Sequence, residues 1–321
     1  MISSIRNFSK IFKKVNGFTV VKQYSRSRVL FFSLFQILTQ GSSKKSLEIV
    51  RNSVDNKVLN RLRRQYSKEA LKIKSLIESK DYPYRKDNVV WVCWFQGIEN
   101  APDVVKTCIE SLRNNVHSKD IVVISSKNYK KYITFPPTIQ EKVDKGIISG
   151  AHLSDLIRLE LLTNYGGSWV DATVYFSDDN YPNFFFESDF FLFQKLKPAL
   201  DGNPLVISNW FITSRANHPL LLMTKELLYS YWTNKNNIIH YFIFHMFFQI
   251  ATEHYPDEWR KVIPASSSTP HSLLLRLFDN YNEYMWDGIL KQSSIHKLTY
   301  KFTKDDAERL HTFYRKIIRK H

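Results

Sequence analysis

The sequence predicts an α/β fold: an open, mostly parallel, Rossmann-like sheet with flanking helices, preceded by a basic helical extension. Three observations carry that expectation. VVWVCWF, from Val89, is an apolar run bounded by Asn88 and Gly97, with the texture of a strand buried on both faces. DVVKTCIESLRNN follows Pro102 and sets Val105, Cys108, Ile109 and Leu112 on one helical face. IVVISS, from Ile121, is a second apolar strand, and strand, helix, strand is the unit of a parallel sheet.

The other elements follow in chain order. Residues 1–85 read as the extension and residues 86–321 as the main domain. Within the extension, KVLNRLRRQYSKEALKIKSLIESK places Val58, Leu62, Tyr66, Leu71 and Leu76 at helical intervals with charges between them. VLFFSLFQIL, from Val29, is flanked by RSR and by Lys44 and Lys45, and is shorter than the roughly 20 apolar residues a span needs. It suits a helix lying in a membrane interface or a core helix equally well. It starts late and lacks a small-residue cleavage site, which argues against a secretory signal. DYPYRKDN reads as a linker. Beyond IVVISS, FFLFQKL and LVISNWFITS predict strands, and HPLLLMTKELLYSYW and IIHYFIFHMFFQIA predict two long apolar helices.

Composition narrows the classes. A hydrophobic share of 43% with 15% aromatics implies a packed core, and only 9 Gly and 11 Pro imply long elements. The formal charge of +16 calls for an anionic partner: nucleic acid, an anionic membrane face or a phosphorylated substrate. The basic residues are dispersed and no RNP, helix-turn-helix or zinc pattern accompanies them, so no nucleic-acid partner is expected. Neither GxGxxG nor GxxxxGK[ST] occurs. Cys93 and Cys108 fall in a strand and a helix, as reduced core residues of a cytoplasmic protein would.

The chemistry concentrates in SDLIRLELLTNYGGSWVDATV, residues 154–174. Asp155 and Arg158 are three apart and share a helical face. Gly166 and Gly167 end that helix in a turn where glycine takes the left-handed conformation cheaply. SWVDATV then reads as a buried strand carrying Asp171, a costly placement unless a cation or donor meets the carboxylate.

SD-x-x-R, a spacer and GG-x-W-x-D resemble the signature of DXD-type glycosyltransferases of the GT32 kind, in their bacterial capsular polysaccharide synthesis branch. VCWFQGIENAP resembles the branch's first strand and loop, GAHLSDLIRLELLTNYGGSWVDATV its central motif, and SSIHKLTYK its closing motif. The resemblance implies a GT-A-type fold that binds a nucleoside-diphosphate sugar, with UDP as the favoured base carrier, and transfers the sugar with retention. It implies donor binding by Trp94 as the base-stacking face, with Gln96, Gly97, Asp155, Arg158, Asp171, Thr173 and Lys297. Asp155, Arg158 and Asp171 are the implied catalytic set. Asn209 and His245 are candidates for the acceptor side; His240 and His271 could line it too, and for all three histidines a structural role is the competing reading. Asp171 aligns with the first aspartate of the DXD, while Thr173 replaces the second. A divalent Mn²⁺ or Mg²⁺ is the implied cofactor, with Asp171 and His296 as its candidate ligands, and Lys297 and Lys301 as phosphate partners. The implied acceptor is a saccharide or polyprenyl-diphosphate-linked saccharide, with the enzyme cytoplasmic and peripheral on the inner face of the plasma membrane. The alternatives are a non-catalytic sugar-nucleotide-binding homologue, motivated by Thr173, and a basic nucleic-acid-binding protein.

Overall fold

The computed structural model describes residues 17–196 and 203–319; residues 1–16 of the expected basic extension lie outside that range. Three helices come first, α1 (Gly17–Arg26), α2 (Leu30–Gln40) and α3 (Lys44–Glu78). Then follow β1 (Val89–Cys93), α4 (Asp103–Asn115), β2 (Asp120–Ile124), α5 (Pro137–Asp144), α6 (Gly150–Asn164) and β3 (Gly167–Val170). The second half holds β4 (Val174–Phe176), β5 (Phe190–Gln194), β6 (Ile207–Ser214), α7 (Pro219–Asn234), α8 (Ile243–His254), α9 (Glu283–Leu290) and β7 (Ile295–Lys297).

The five-stranded sheet has the order β2-β1-β3-β6-β5. β1 is parallel to β2 and β3, β6 is antiparallel to β3, and β5 is antiparallel to β6. Only β6 is reversed, so the sheet is open and mostly parallel, as the sequence predicts. From β1 the chain passes to β2 on one side and later to β3 on the other. Such a reversal opens a crevice at the carboxyl ends of the two strands. Trp94 leaves β1 there and Asp171 leaves β3. β5 points the same way, so Lys195 also leaves the sheet at this edge. A separate two-stranded ribbon pairs β4 with β7 and lies beyond the end of β3.

Alternation along the strands divides the core. Trp91 and Trp169 face the cluster built with α3, α6, α7 and α8, while Val90, Val92 and Val170 face the cluster containing α4. Gly167 makes the turn into β3 possible. Its φ is +87°, and a Cβ there would lie 2.5 Å from the carbonyl oxygen of Val89.

Three expectations are corrected. The buried seam of α3 runs through Val58, Leu62, Tyr66, Ala70, Ile73 and Ile77, while Leu71 and Leu76 are exposed. The 3.6-residue period, followed strictly from Tyr66, falls at Ala70, Ile73 and Ile77 and misses both leucines. The stretch at IIHYFIFHMFFQIA becomes helical only at Ile243, leaving Tyr241 and Phe242 in the loop before α8. Asp171 is not inside a strand: β3 stops at Val170, and the residue opens the turn into β4 with a side chain 29% exposed. β3 ends there while β1 and β6 run on beside it, so the carboxylate sits in a turn at the carboxyl end of the strand.

Candidate active site

α6 sets the geometry. Its apolar residues, among them Leu156, Ile157, Leu159 and Leu162, are buried and fix the rotation of the helix. The face left over carries Asp155 and Arg158 toward the sheet's carboxyl edge. Arg158 is buried, with its guanidinium 4.5 Å from the centre of the Trp169 ring. Its Nη1 donates to Asp155 Oδ1 at 2.6 Å and its Nη2 to Asp171 Oδ1 at 3.2 Å. Trp169 Nε1 donates to the same Asp171 oxygen at 2.9 Å. Asp155 Oδ1 also accepts from Asn209 Nδ2 at 2.9 Å. One guanidinium thus holds two carboxylates that come from different elements. This is a buried network, not a surface ion pair.

The two carboxylates differ in character. Burial pushes Asp155 up to about 6, against the attraction of Arg158 and with the repulsion of Asp171. Burial also acts upward on Asp171, but Lys297 and Arg158 outweigh it and hold this carboxyl below the usual range. Carboxylates pushed apart in this way mark sites where charge is put to use.

β4 and β7 bring in the closing motif. Val174 pairs with Lys297 and Tyr175 with His296, and Leu298 N donates to Thr173 O at 2.8 Å. Lys297 Nζ donates to Thr173 Oγ1 at 2.5 Å and lies 3.2 Å from Asp171 Oδ2. His296, one residue earlier, faces the other side of the ribbon. Its Nε2 is 3.2 Å from Ser177 Oγ, and its ring lies against Tyr175 and Trp286. Burial lowers it to about 4, so it is neutral. The expected pairing of His296 with Asp171 is therefore corrected: neighbours on a strand point to opposite faces, and Lys297 is the one that points at Asp171.

A cavity of about 300 Å³ opens over this network. Asp155, Arg158, Asp171 and Asn209 form one side of it, and His245 reaches it from α8. Lys195, Trp210, Tyr241 and Phe242 also line it, beside Ala151, Ser154 and Ser208, and were not singled out from the sequence. Lys195 carried no signal of its own, since Lys197 follows it two residues on. Tyr241 and Phe242 carried none while they were counted as part of a helix. Burial lowers His245 to about 3, assisted by Lys195, Arg158 and His240, so its imidazole is neutral. Arg158 Nε, Trp210 Nε1 and His245 Nδ1 are buried with no partner among the described residues. Buried polar atoms are rarely left so, and a ligand rich in acceptors would satisfy the donors among them.

Trp94 stands apart from this cavity. Its ring meets Tyr300 edge to face at 5.1 Å, and its Nε1 is also buried without a partner. Gln96 is exposed beyond it, and Gly97 turns the loop with φ +86°. Lys301 lies over the Tyr300 ring at 5.7 Å. The closing motif therefore reaches Asp171 through Lys297 and Trp94 through Tyr300.

The family model described as capsular polysaccharide synthesis protein matches residues 35–317. The chain belongs to the capsular polysaccharide synthesis protein family. Its match takes in α3, the whole sheet and the β4–β7 ribbon. Among curated proteins, O-glycosyltransferase braB of Annulohypoxylon truncatum is 27% identical over 175 residues, covering 49% of this chain and 40% of that protein. The likeness thus spans less than half of that relative's length. Among solved structures, PaToxG Glycosyltransferase aligns with a TM-score of 0.36 and 13% identity, over 80% of this chain and 95% of that one. A likeness so loose leaves the fold to be argued from strand order and register.

The residues of this family member do not fit the divalent ion that a DXD resemblance implies. Such an ion needs several anionic or imidazole ligands converging. Here Asp171 offers one carboxylate whose two oxygens already face Arg158 and Lys297, Thr173 offers a hydroxyl bound by Lys297, and His296 faces away. Among the described residues no three His, Cys, Asp or Glu side chains gather as a metal centre requires.

Proposed function

We propose that this family member is a retaining glycosyltransferase of the GT-A type. It moves a sugar from a nucleoside-diphosphate donor, UDP-linked by preference, to a saccharide or polyprenyl-diphosphate-linked saccharide in surface polysaccharide synthesis. The observation that carries the reading is the buried guanidinium of Arg158 holding Asp155 and Asp171 together at the sheet's switch point, with Lys297 beside Asp171.

In this reading Asp155 and Asn209 accept and donate to donor-sugar hydroxyls, and Arg158 fixes the carboxylates. Trp94, at the edge of the crevice, offers the base a face, a stack worth about 1–3 kcal/mol. Asp155 and Asp171 are the carboxylates lining the cavity, and both are bound to Arg158. Neither is free to attack the anomeric carbon. Retention then follows a front-face course: the acceptor hydroxyl attacks on the side from which the diphosphate leaves. Positioning and charge stabilisation supply most of the catalysis.

A cytoplasmic location on the inner face of the plasma membrane belongs to the same reading, since a polyprenyl-linked acceptor lies in that surface. No helix among the described residues is long and apolar enough to cross a membrane. α2 offers a different kind of contact, an exposed apolar stripe with basic residues on either side.

The test is incubation with a panel of UDP- and GDP-sugars and detection of released nucleotide. Release from one or a few donors, abolished in Asp171→Asn, is expected. A protein that binds a sugar nucleotide but neither transfers nor hydrolyses it would be a non-catalytic homologue. One that binds none of the panel would overturn the reading of a UDP- or GDP-linked donor.

A further inference from the structure

We infer that Lys297 supplies from the chain itself the positive charge that a divalent ion would bring to the leaving diphosphate, so that nucleotide binding and sugar transfer proceed without a metal. The inference rests on the glycosyltransferase reading above.

The placement is specific. Asp171 and Thr173 are the first and third residues of the turn between β3 and β4, the two positions whose side chains would share an ion. The ammonium of Lys297 bridges those two side chains, at 3.2 Å from Asp171 Oδ2 and 2.5 Å from Thr173 Oγ1. The lysine comes from an element far away in sequence, yet its register is fixed by the β4–β7 pairing and by the Leu298 to Thr173 backbone bond. Its side chain is 16% exposed and Thr173 is buried, so the bridge is not a loose surface contact.

The donor chemistry agrees. Thr173 is a poor ligand for a divalent ion but a good acceptor for an ammonium. An ammonium has three N–H donors, and two are engaged by Asp171 and Thr173. The third remains for an outside acceptor such as a phosphate oxygen.

In the transfer step the bond from the anomeric carbon to the diphosphate oxygen breaks, and its electron pair stays on the diphosphate. The acceptor oxygen bonds to the anomeric carbon, and its proton passes to the leaving diphosphate. Lys297 meets the growing charge and transfers no proton.

The experiment is calorimetric titration of UDP into the full-length protein in EDTA, then in Mn²⁺ and in Mg²⁺. It is repeated for Lys297→Ala and Lys297→Arg, with a thermal melt to establish that each variant is folded. The expected affinities of the wild type differ by less than about twofold among the three buffers, while Lys297→Ala loses about tenfold or more and Lys297→Arg loses less. UDP binding that appears only with a metal, or a folded Lys297→Ala that binds as the wild type does, overturns the inference and leaves the glycosyltransferase reading standing. The buffer comparison needs no variant, so a misfolded Lys297→Ala does not blunt it. Failure of the wild type to bind UDP, or GDP titrated in the same three buffers, overturns both.

Discussion

Nε2 of His240 lies 2.9 Å from Oδ1 of Asp55, and through that contact α3 steadies the loop that walls the candidate site. Both residues are buried. His240 Nδ1 accepts from the backbone N–H of Phe242 at 3.2 Å, so the residues beside Tyr241 are held from two directions. α3 is thus part of the site's support as well as of the core. Asp55→Ala would remove the carboxylate that faces the buried imidazole, a loss of about 1 kcal/mol for a polar contact of this kind. The urea midpoint should fall accordingly, and donor affinity should fall with it. A variant with an unchanged midpoint and unchanged affinity would show that the contact supports neither.

Asp155 makes the folded protein pH-sensitive in an unusual direction. The fold raises this carboxyl from 3.8 to about 6, chiefly by burial. A raised carboxyl stabilises the folded state while it keeps its proton. That contribution is complete below about pH 4 and is lost as pH rises through about 6, an effect on the order of 3 kcal/mol. Asp155→Asn does not titrate. Its melting temperature relative to wild type should therefore climb between about pH 4 and 6 and level off above. The loss of one Arg158 partner lowers the whole curve without changing its shape. A difference that stays flat across this range would contradict the assignment.

Asp171 should behave in the opposite way. Lys297 and Arg158 hold its carboxyl low despite burial, so it stays ionised through the neutral range. Its stabilising contribution is present above the unfolded carboxylate value and is lost as pH falls through the folded one. For catalysis, Asp171→Asn removes the charge that orders Lys297 and Arg158, and nucleotide release should drop by about a hundredfold or more. The acid limb of kcat/KM should come instead from Asp155, near pH 6. A profile with no acid limb in that region would remove Asp155 from the donor site.

Gly167 gives a purely structural test. Alanine there would have to adopt φ +87° with its Cβ 2.5 Å from a backbone oxygen that cannot swing aside. Strain of this kind costs of order 1–3 kcal/mol before the clash is added. The variant should be less soluble or melt well below the wild type. Gly146, also at positive φ but with open space around a Cβ, should tolerate alanine better. Equal effects at the two positions would mean that the close approach of Val89 does not matter.

Much of this arrangement was legible from local pattern. Apolar runs bounded by Asn88 and Gly97 gave β1, and helical spacing placed Asp155 and Arg158 on one face, because these depend on residues a few positions apart. What was not legible depended on distant partners. The opposed faces of His296 and Lys297 follow from pairing with β4, which lies more than a hundred residues earlier. β3 stops at Val170 although β1 and β6 run on past it, so Asp171 read as an interior strand residue when it opens a turn. Lys195 and Trp210 joined the site only through the order of β5 and β6 in the sheet. Family likeness supplied the motif, and strand pairing decided which of its side chains meet.

α2 yields the last prediction. Phe31, Phe35 and Leu38 are 86%, 66% and 83% exposed, and with Leu34 they form a stripe at i, i+3, i+4 and i+7. The opposite face is anchored, with Ser33 buried and Phe32 and Ile37 packed on the core. Lys22, Arg26 and Arg28 precede the helix and Lys44 and Lys45 follow it. An apolar stripe between cationic ends matches an anionic bilayer surface, where the rings enter the acyl boundary and the cations meet headgroups. Burying each such side chain is worth about 1.5–3 kcal/mol. The protein should therefore sediment with vesicles of phosphatidylcholine and phosphatidylglycerol, less with phosphatidylcholine alone, and less again in high salt. The triple variant Phe31→Ser, Phe35→Ser, Leu38→Ser should lose about a hundredfold or more in partitioning while still releasing nucleotide from a soluble donor. Equal sedimentation of variant and wild type would show that this face meets something other than lipid.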